Sequence, residues 1–414
     1  MKKLNLFNLA IFALCSLPLF ADEGIKLEFK YKADDNFSLI STVEEDVKYN
    51  GRLNHHARIL SRVTERLTEV DKDERGHIQG TFMTSEQSSG AGLSSGSYKW
   101  GETFESDFWR DKYGRFEIDK KYFMPVIRDL PVFPDKKVKA GDEWNAEGFE
   151  AEDLRRGFGI EEPFHVPFVA KYKYERDEKG ISSDSSKQEK TFQVITANYS
   201  LYYETPAISR PTSDYPVTTM GYSNRTIWWD NEKGQIDHYT EEFRIVIETY
   251  LGNQYSFTGT TNVEVTEFKR SATEENVKDV MQKVEDLGLE DISVTKTEKG
   301  LTISLENIQF LPDSAVLQES EMVKIQKIGA ILNEYPGNDL LIAGHTARAG
   351  SEESCQILSE QRASTVADFL VQLGVREKKH IFTQGFGSKV PVASNKTERG
   401  KAKNRRVEIT ILDK

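Results

Sequence analysis

Between Ile25 and about Arg270 the sequence alternates apolar and polar residues in short runs rich in Val, Ile, Thr and Tyr, and after Thr273 the spacing becomes helical. A period of two sends successive side chains to opposite faces of a strand. A period near 3.6 stacks them along one side of a helix, so this change of period divides the chain. The first part reads as strands over 25–31, 37–49, 57–70, 76–85, 191–203, 224–229 and 238–250. Turns such as Asp73-Glu74-Arg75-Gly76 and Asn231-Glu232-Lys233-Gly234 separate the runs. An antiparallel β architecture is expected, either a sandwich or an open barrel.

Two stretches qualify that reading. Leu130 to Trp144 holds Pro131, Pro134 and Gly141, which punctuate a hairpin, and Trp144 is expected to pack beneath it. The charged stretch Ala151 to Pro163 predicts a division of residues 22–270 into two subdomains near 150–165. Gln87 to Ser97 is mostly Gly and Ser and reads as a loop. A membrane-spanning barrel requires one clean apolar face per strand. In Ala57 to Val70 one face carries Arg58, Leu60, Arg62, Thr64 and Arg66, and the other carries Ser61, Glu65 and Glu69, so a water-facing β region is the expectation. His55 and His56 are adjacent and point to opposite faces of a strand, which does not make a metal site.

The first residues combine Met1-Lys2-Lys3 with an apolar run to Phe20, a pattern that predicts a signal peptide over 1–21 cleaved after Ala21. Cys15 offers a lipid-anchored alternative, although Leu14 is large for the position before a lipidated cysteine. Beyond that segment Cys355 is the only cysteine, so an internal disulfide is excluded and stability rests on packing. Residues 22–270 carry 34 Lys plus Arg against 45 Asp plus Glu, and residues 271–414 carry 19 against 22. Neither balance suits a nucleic-acid binder.

The second part opens with a connecting helix, expected over 271–290, capped by Thr273 and striped by Val277, Val280, Met281 and Val284. Strands 293–298, 301–305, 340–343, 381–386 and 406–412 then alternate with helices 317–334 and 354–373, which predicts a small two-layer α/β sandwich. The run Leu340 to Ala343 leads into Gly344-His345-Thr346-Ala347-Arg348-Ala349-Gly350 and then into the helix that carries Arg362. A helix N-terminus with a guanidinium one or two turns in would hold a carboxylate.

Five blocks here occur in order: Gly344 to Gly350, Cys355 to Ala363, Gln384 to Gly387, Pro391 to Thr397 and Asn404 to Glu408. From about Asp291 to Leu412 the sequence resembles the OmpA-like peptidoglycan-associating domain. The resemblance implies an α/β fold, no enzymatic activity, no cofactor and no metal. It also implies a pocket for the diaminopimelate of a peptidoglycan stem peptide, with Thr346, Arg362 and Arg405 at or beside it. Two positions depart from the family. The acid that meets the ligand's ammonium is replaced by Ala347, and the asparagine seven residues before the arginine is replaced by Cys355.

Lys396 to Arg406 holds six basic residues and one acid. The resemblance places Arg405 beside the pocket, makes Arg406 the start of an edge strand and leaves the rest a solvated loop. Base stacking would need aromatic side chains that this run lacks. The expected protein is a non-enzymatic, periplasmic cell-envelope chain that associates weakly with the peptidoglycan stem peptide, or else a scaffold whose wall site has lapsed. No nucleic acid, a peripheral outer-membrane association and an unidentified protein partner for residues 22–270 complete the expectations.

Overall fold

The computed structural model describes residues 24–89, 98–184, 186–206, 214–311 and 314–413. The signal segment with Cys15 and the loop at 90–97 lie outside them.

Twelve strands make one antiparallel sheet. In chain order they begin with β1 (Asn36–Tyr49), β2 (Arg52–Val70) and β3 (Gly76–Ser89). A two-residue strand, β4 (Tyr98–Lys99), belongs elsewhere. Then come β5 (Glu102–Arg110), β6 (Phe116–Ile118), β7 (Ile127–Arg128) and β8 (Glu143–Glu152). A four-residue helix, α1 (Arg155–Phe158), precedes β9 (Phe164–Ile181), β10 (Glu189–Glu204), β11 (Pro216–Asp230), β12 (Gln235–Thr249) and β13 (Gln254–Glu267). The spatial order runs from β6 through β5, β3, β2, β1, β13 and then back down to β7.

The two ends of this sheet approach each other. Phe116 of β6 donates its N–H to the Asp129 carboxylate, next to β7, at 2.7 Å. Of the two architectures left open by the sequence, the structure is the open barrel. Its interior is apolar where Val166, Phe168, Ala170, Tyr172 and Tyr174 alternate inward along β9. The segment 25–31, expected as a strand, makes only one isolated bridge, Ile25 with Val138. Its Phe29 packs edge-on against the fully buried Trp229, with centroids 4.9 Å apart, because an apolar side chain from a crossing segment fills the curled sheet better than a further ladder would. Trp144 does pack under the 130–144 hairpin, stacked on Tyr172 and donating to the Val132 carbonyl at 2.7 Å.

The expected division near 150–165 does not interrupt the sheet. β8 and β9 flank that stretch and pair with each other over the whole of β8, Glu152 opposite Phe164 and Glu143 opposite Lys173. Charges in that stretch tie α1 to β5, with Arg156 pairing to Glu102 at 2.7 Å.

The second domain adds α2 (Glu274–Asp286), β14 (Ile292–Lys296), β15 (Gly300–Leu305), α3 (Glu319–Leu332) and β16 (Leu340–Gly344). It continues through α4 (Glu352–Gln372), β17 (Ile381–Gly385), α5 (Glu398–Asn404) and β18 (Val407–Leu412). Helix α2 is less a connector than part of this domain: Val280 and Val284 are buried in the same core as Ile303, Ile325, Leu340, Val366 and Ile409. Strand β18 lies between β15 and β16, inside the sheet and not at its edge, because both sides of Ile409 and Ile411 find ladder partners.

The helices cover one face of the second sheet. Its other face is covered by the barrel wall, so the expected two layers become three. Leu341, Phe382 and Leu412 pack on Ile40, Leu60 and Met83, and β4 extends the sheet by pairing parallel to β17. At the centre of this junction Asp339 is 2% exposed and accepts from Arg62 at 2.6 Å and Ser38 at 2.9 Å, with His380 Nδ1 at 2.7 Å. The face of β2 that carries Leu60 and Arg62 is thus the face against which the second domain rests.

Candidate functional site

Strand β16 ends at Gly344, where the chain must pass tight against α4: a Cβ there would lie 2.1 Å from the Ser359 carbonyl oxygen. The next residues are pinned by backbone. His345 donates to the Arg406 carbonyl at 3.0 Å, and Thr346 donates to the Gly387 carbonyl at 2.8 Å. A buried asparagine holds the facing loop. Asn404 is fully buried, accepts from Val392 and Ala393, and donates to the side chain of Asn395 at 3.0 Å. Asn395 in turn accepts from the Arg348 N–H at 3.1 Å, so one residue of the last sequence block fixes the loop of the first.

These supports frame a cavity of about 640 Å³, within the size range of small-ligand sites. All five sequence-predicted residues line it: Thr346, Ala347, Cys355, Arg362 and Arg405. Lys401 of α5 joins them, a cation that sequence reading placed in a solvated loop. The signal for α5 was present, since Thr397 caps it by accepting from the Gly400 N–H at 3.1 Å.

Charge in the cavity is of one sign. Arg362, Lys401 and Arg405 are basic, and no Asp or Glu lines the cavity among the described residues. Glu352, in the first turn of α4, pairs with Lys389 at 3.2 Å, and Glu398 of α5 pairs with Lys401 at 2.8 Å. The Arg362 guanidinium lies over the Phe310 ring, 4.7 Å from its centroid, and donates to the Ser314 carbonyl at 3.3 Å. Stacking and that bond restrict its rotamers, which prepares it to receive a planar carboxylate. Thr346, which lines the cavity, is buried and has no hydrogen-bond partner for Oγ1 within the described protein.

The helix N-terminus does not supply the anion site expected of it. Helix α4 starts at Glu352, so Arg362 sits about three turns in, and Glu352 and Glu353 occupy the first turn. Ser351 already caps the end, accepting from the Ser354 N–H at 3.1 Å. Cys355 serves the loop: its thiol points to the carbonyls of Ala349, at 3.0 Å, and Ala347. His345 is stacked on Phe386, and burial lowers its pKa although Glu408 opposes that. Burial resists charge on Glu408 as well, yet His345 and Arg406 bring its carboxyl down to about 2.

Residues 309–405 match the model of the OmpA family. The C-terminal third belongs to the OmpA family. Over 121 residues the chain is 37% identical to Probable lipoprotein YiaD of Escherichia coli, covering 29% of this chain and 55% of YiaD. Over 104 residues it is 43% identical to the Peptidoglycan-binding protein ArfA of Mycobacterium tuberculosis, covering 25% of this chain and 32% of ArfA. The chain thus spans between about a third and about half of these curated relatives. Among solved structures, an outer membrane protein of Borrelia burgdorferi B31 is 39% identical, with a TM-score of 0.26, over 30% of this chain and 97% of that one. The relatives are envelope proteins.

Proposed function

We propose that the OmpA-family domain binds carboxylate-bearing stem peptides of peptidoglycan, weakly, and that the open barrel positions that domain in the periplasm as part of a non-enzymatic envelope protein. One observation carries the reading: three cationic side chains and an unpartnered buried hydroxyl converge on one cavity that contains no carboxylate among the described residues. Such a pocket attracts an anion and, among the described residues, offers an ammonium no carboxylate. A ligand with both groups therefore gains the Arg362 clamp and leaves its cation unanswered.

The outward residues of the barrel support a water-facing wall. Along β9, Lys171, Lys173 and Glu175 alternate with buried Tyr172 and Tyr174. No helix among the described residues is long and apolar enough to cross a membrane.

A second reading, a scaffold whose wall site has lapsed, is favoured by the same missing acid. Calorimetric titration of the whole chain with a soluble diaminopimelate-containing muropeptide separates the two. The proposal expects measurable binding that Arg362→Ala abolishes. No binding by the native chain, or binding indifferent to Arg362→Ala, favours the scaffold.

A further inference from the structure

The pairing of β9 with β10 stops at Lys171 and Asn198, although β9 extends back to Phe164 and β10 on to Glu204. Pro167, which has no N–H to give a ladder, stands in the unpaired stretch. Where the strands part, a cleft of about 990 Å³ opens on the outside of the barrel. Its floor is the face-to-face stack of Phe168 on Tyr199, 3.9 Å between centroids and 13° between planes. Gly148 lies beside that floor, and a Cβ there would strike the Phe168 ring at 2.7 Å.

Two tyrosines stand at the cleft with their rings largely in solvent, Tyr202 at 67% and Tyr222 at 41% exposure. They are diagonal neighbours on one face, since Tyr222 pairs with Ser200 and Tyr202 with Met220. Next to them Asn198 and Asn224 form a cross-strand pair, so two side-chain amides and a serine hydroxyl flank the two rings. The charges at the cleft are balanced, Arg115 and Lys171 against Asp129 and Glu147. Lys171 is already paired with Glu143 at 2.9 Å.

We propose that this cleft binds a neutral chain of pyranose sugars. The ring of Tyr is an apolar platform with a polar tip, suited to the C–H face of a sugar. Asn amides and the Ser hydroxyl both donate and accept, as sugar hydroxyls require. The formal charges that line the cleft cancel, two against two. An extended peptide would instead seek the free edges of β9 and β10, and competition by such a peptide is an arm of the test. The inference rests on this geometry alone and not on the Arg362 site.

The test is calorimetric titration of the whole chain with an N-acetylglucosamine oligomer and a glucose oligomer. Tyr202→Ala and Tyr222→Ala are each expected to weaken uptake about 10-fold or more, and Tyr222→Phe to restore it. Tyr250→Ala, exposed and outside the cleft, and Arg362→Ala are expected to leave uptake unchanged. All of these residues are surface or half-exposed, and thermal unfolding of each variant confirms that it folds. The proposal is overturned if neither oligomer binds up to millimolar concentration or if uptake survives both alanine changes. Displacement of the sugar by an extended peptide that needs the same tyrosines would overturn it in favour of peptide.

Discussion

Two of the buried charge clusters among the described residues are treated in opposite ways. At the junction of the domains Asp339 is met by a guanidinium, a hydroxyl and an imidazole, all within 2.9 Å. Burial resists its charge, yet Arg62 and His380 hold its carboxyl well below the usual range. In the barrel, Glu150 and Glu152 are neighbours along β8, and burial raises both. Burial also lifts Glu45 to about 7, with Glu86 adding to the effect. One Glu150 oxygen accepts from Tyr199 at 2.6 Å while the other has no partner among the described residues. A paired charge fixes how two domains sit together. Poorly compensated carboxylates make the barrel sensitive to pH, whereas the cavity beside α4 gathers Arg362, Lys401 and Arg405.

The largest effect is expected at the junction. Arg62→Ala leaves Asp339 buried without its main partner and should cost about 3–5 kcal/mol. Chemical denaturation then shows two transitions in place of one, as the domains uncouple. A single unshifted transition would remove the distinction between the two charge clusters.

The pH response sharpens the same contrast. The folded-state pKa of Asp339 is depressed, so its contribution is present above its unfolded pKa and fades as pH falls through the folded value. For Glu45, Glu150 and Glu152 the folded pKa is raised, so their contribution is complete below the unfolded value and is lost as pH rises through the folded one. Calorimetric melting of the barrel should therefore improve from pH 8 towards pH 5, with the junction still intact. Glu45→Gln removes part of that slope and raises stability at pH 8 by about 1–2 kcal/mol. A barrel whose melting is flat across this range contradicts the burial argument.

A smaller effect is expected at Cys355. Its thiol is a weak donor to two loop carbonyls. Cys355→Ser keeps a donor and should change thermal stability by less than about 1 kcal/mol, whereas Cys355→Leu should overpack the loop by about 1–3 kcal/mol. Equal melting of both variants would show that the thiol plays no part in the loop.

The sequence made the second domain legible because its blocks are local: each lies within a few residues, and each landed on the cavity or on the loops that frame it. It concealed what depends on distant partners. Arg62 and Asp339 are 277 residues apart, so the polar face of β2 gave no sign that it met another domain. Strand β9 carries a clear alternation from Val166 to Tyr174 but follows a charged stretch that suggests a division, whereas in the fold its Arg156 pairs with the distant Glu102. Helix α5 was masked by its own lysines, and with it the third cation of the cavity.

The central claim is that a cavity lined by three cations and, among the described residues, by no acid grips carboxylates and neglects ammonium. Titration of the whole chain and its Ala347→Asp variant with a diaminopimelate-containing muropeptide tests it directly. Leaving one charge of such a pair unmet costs about 2–5 kcal/mol, so the variant should bind roughly 30-fold or more tightly than the native chain. Equal affinities for the two would contradict the account, because they would mean that the ligand's ammonium is already met by another group.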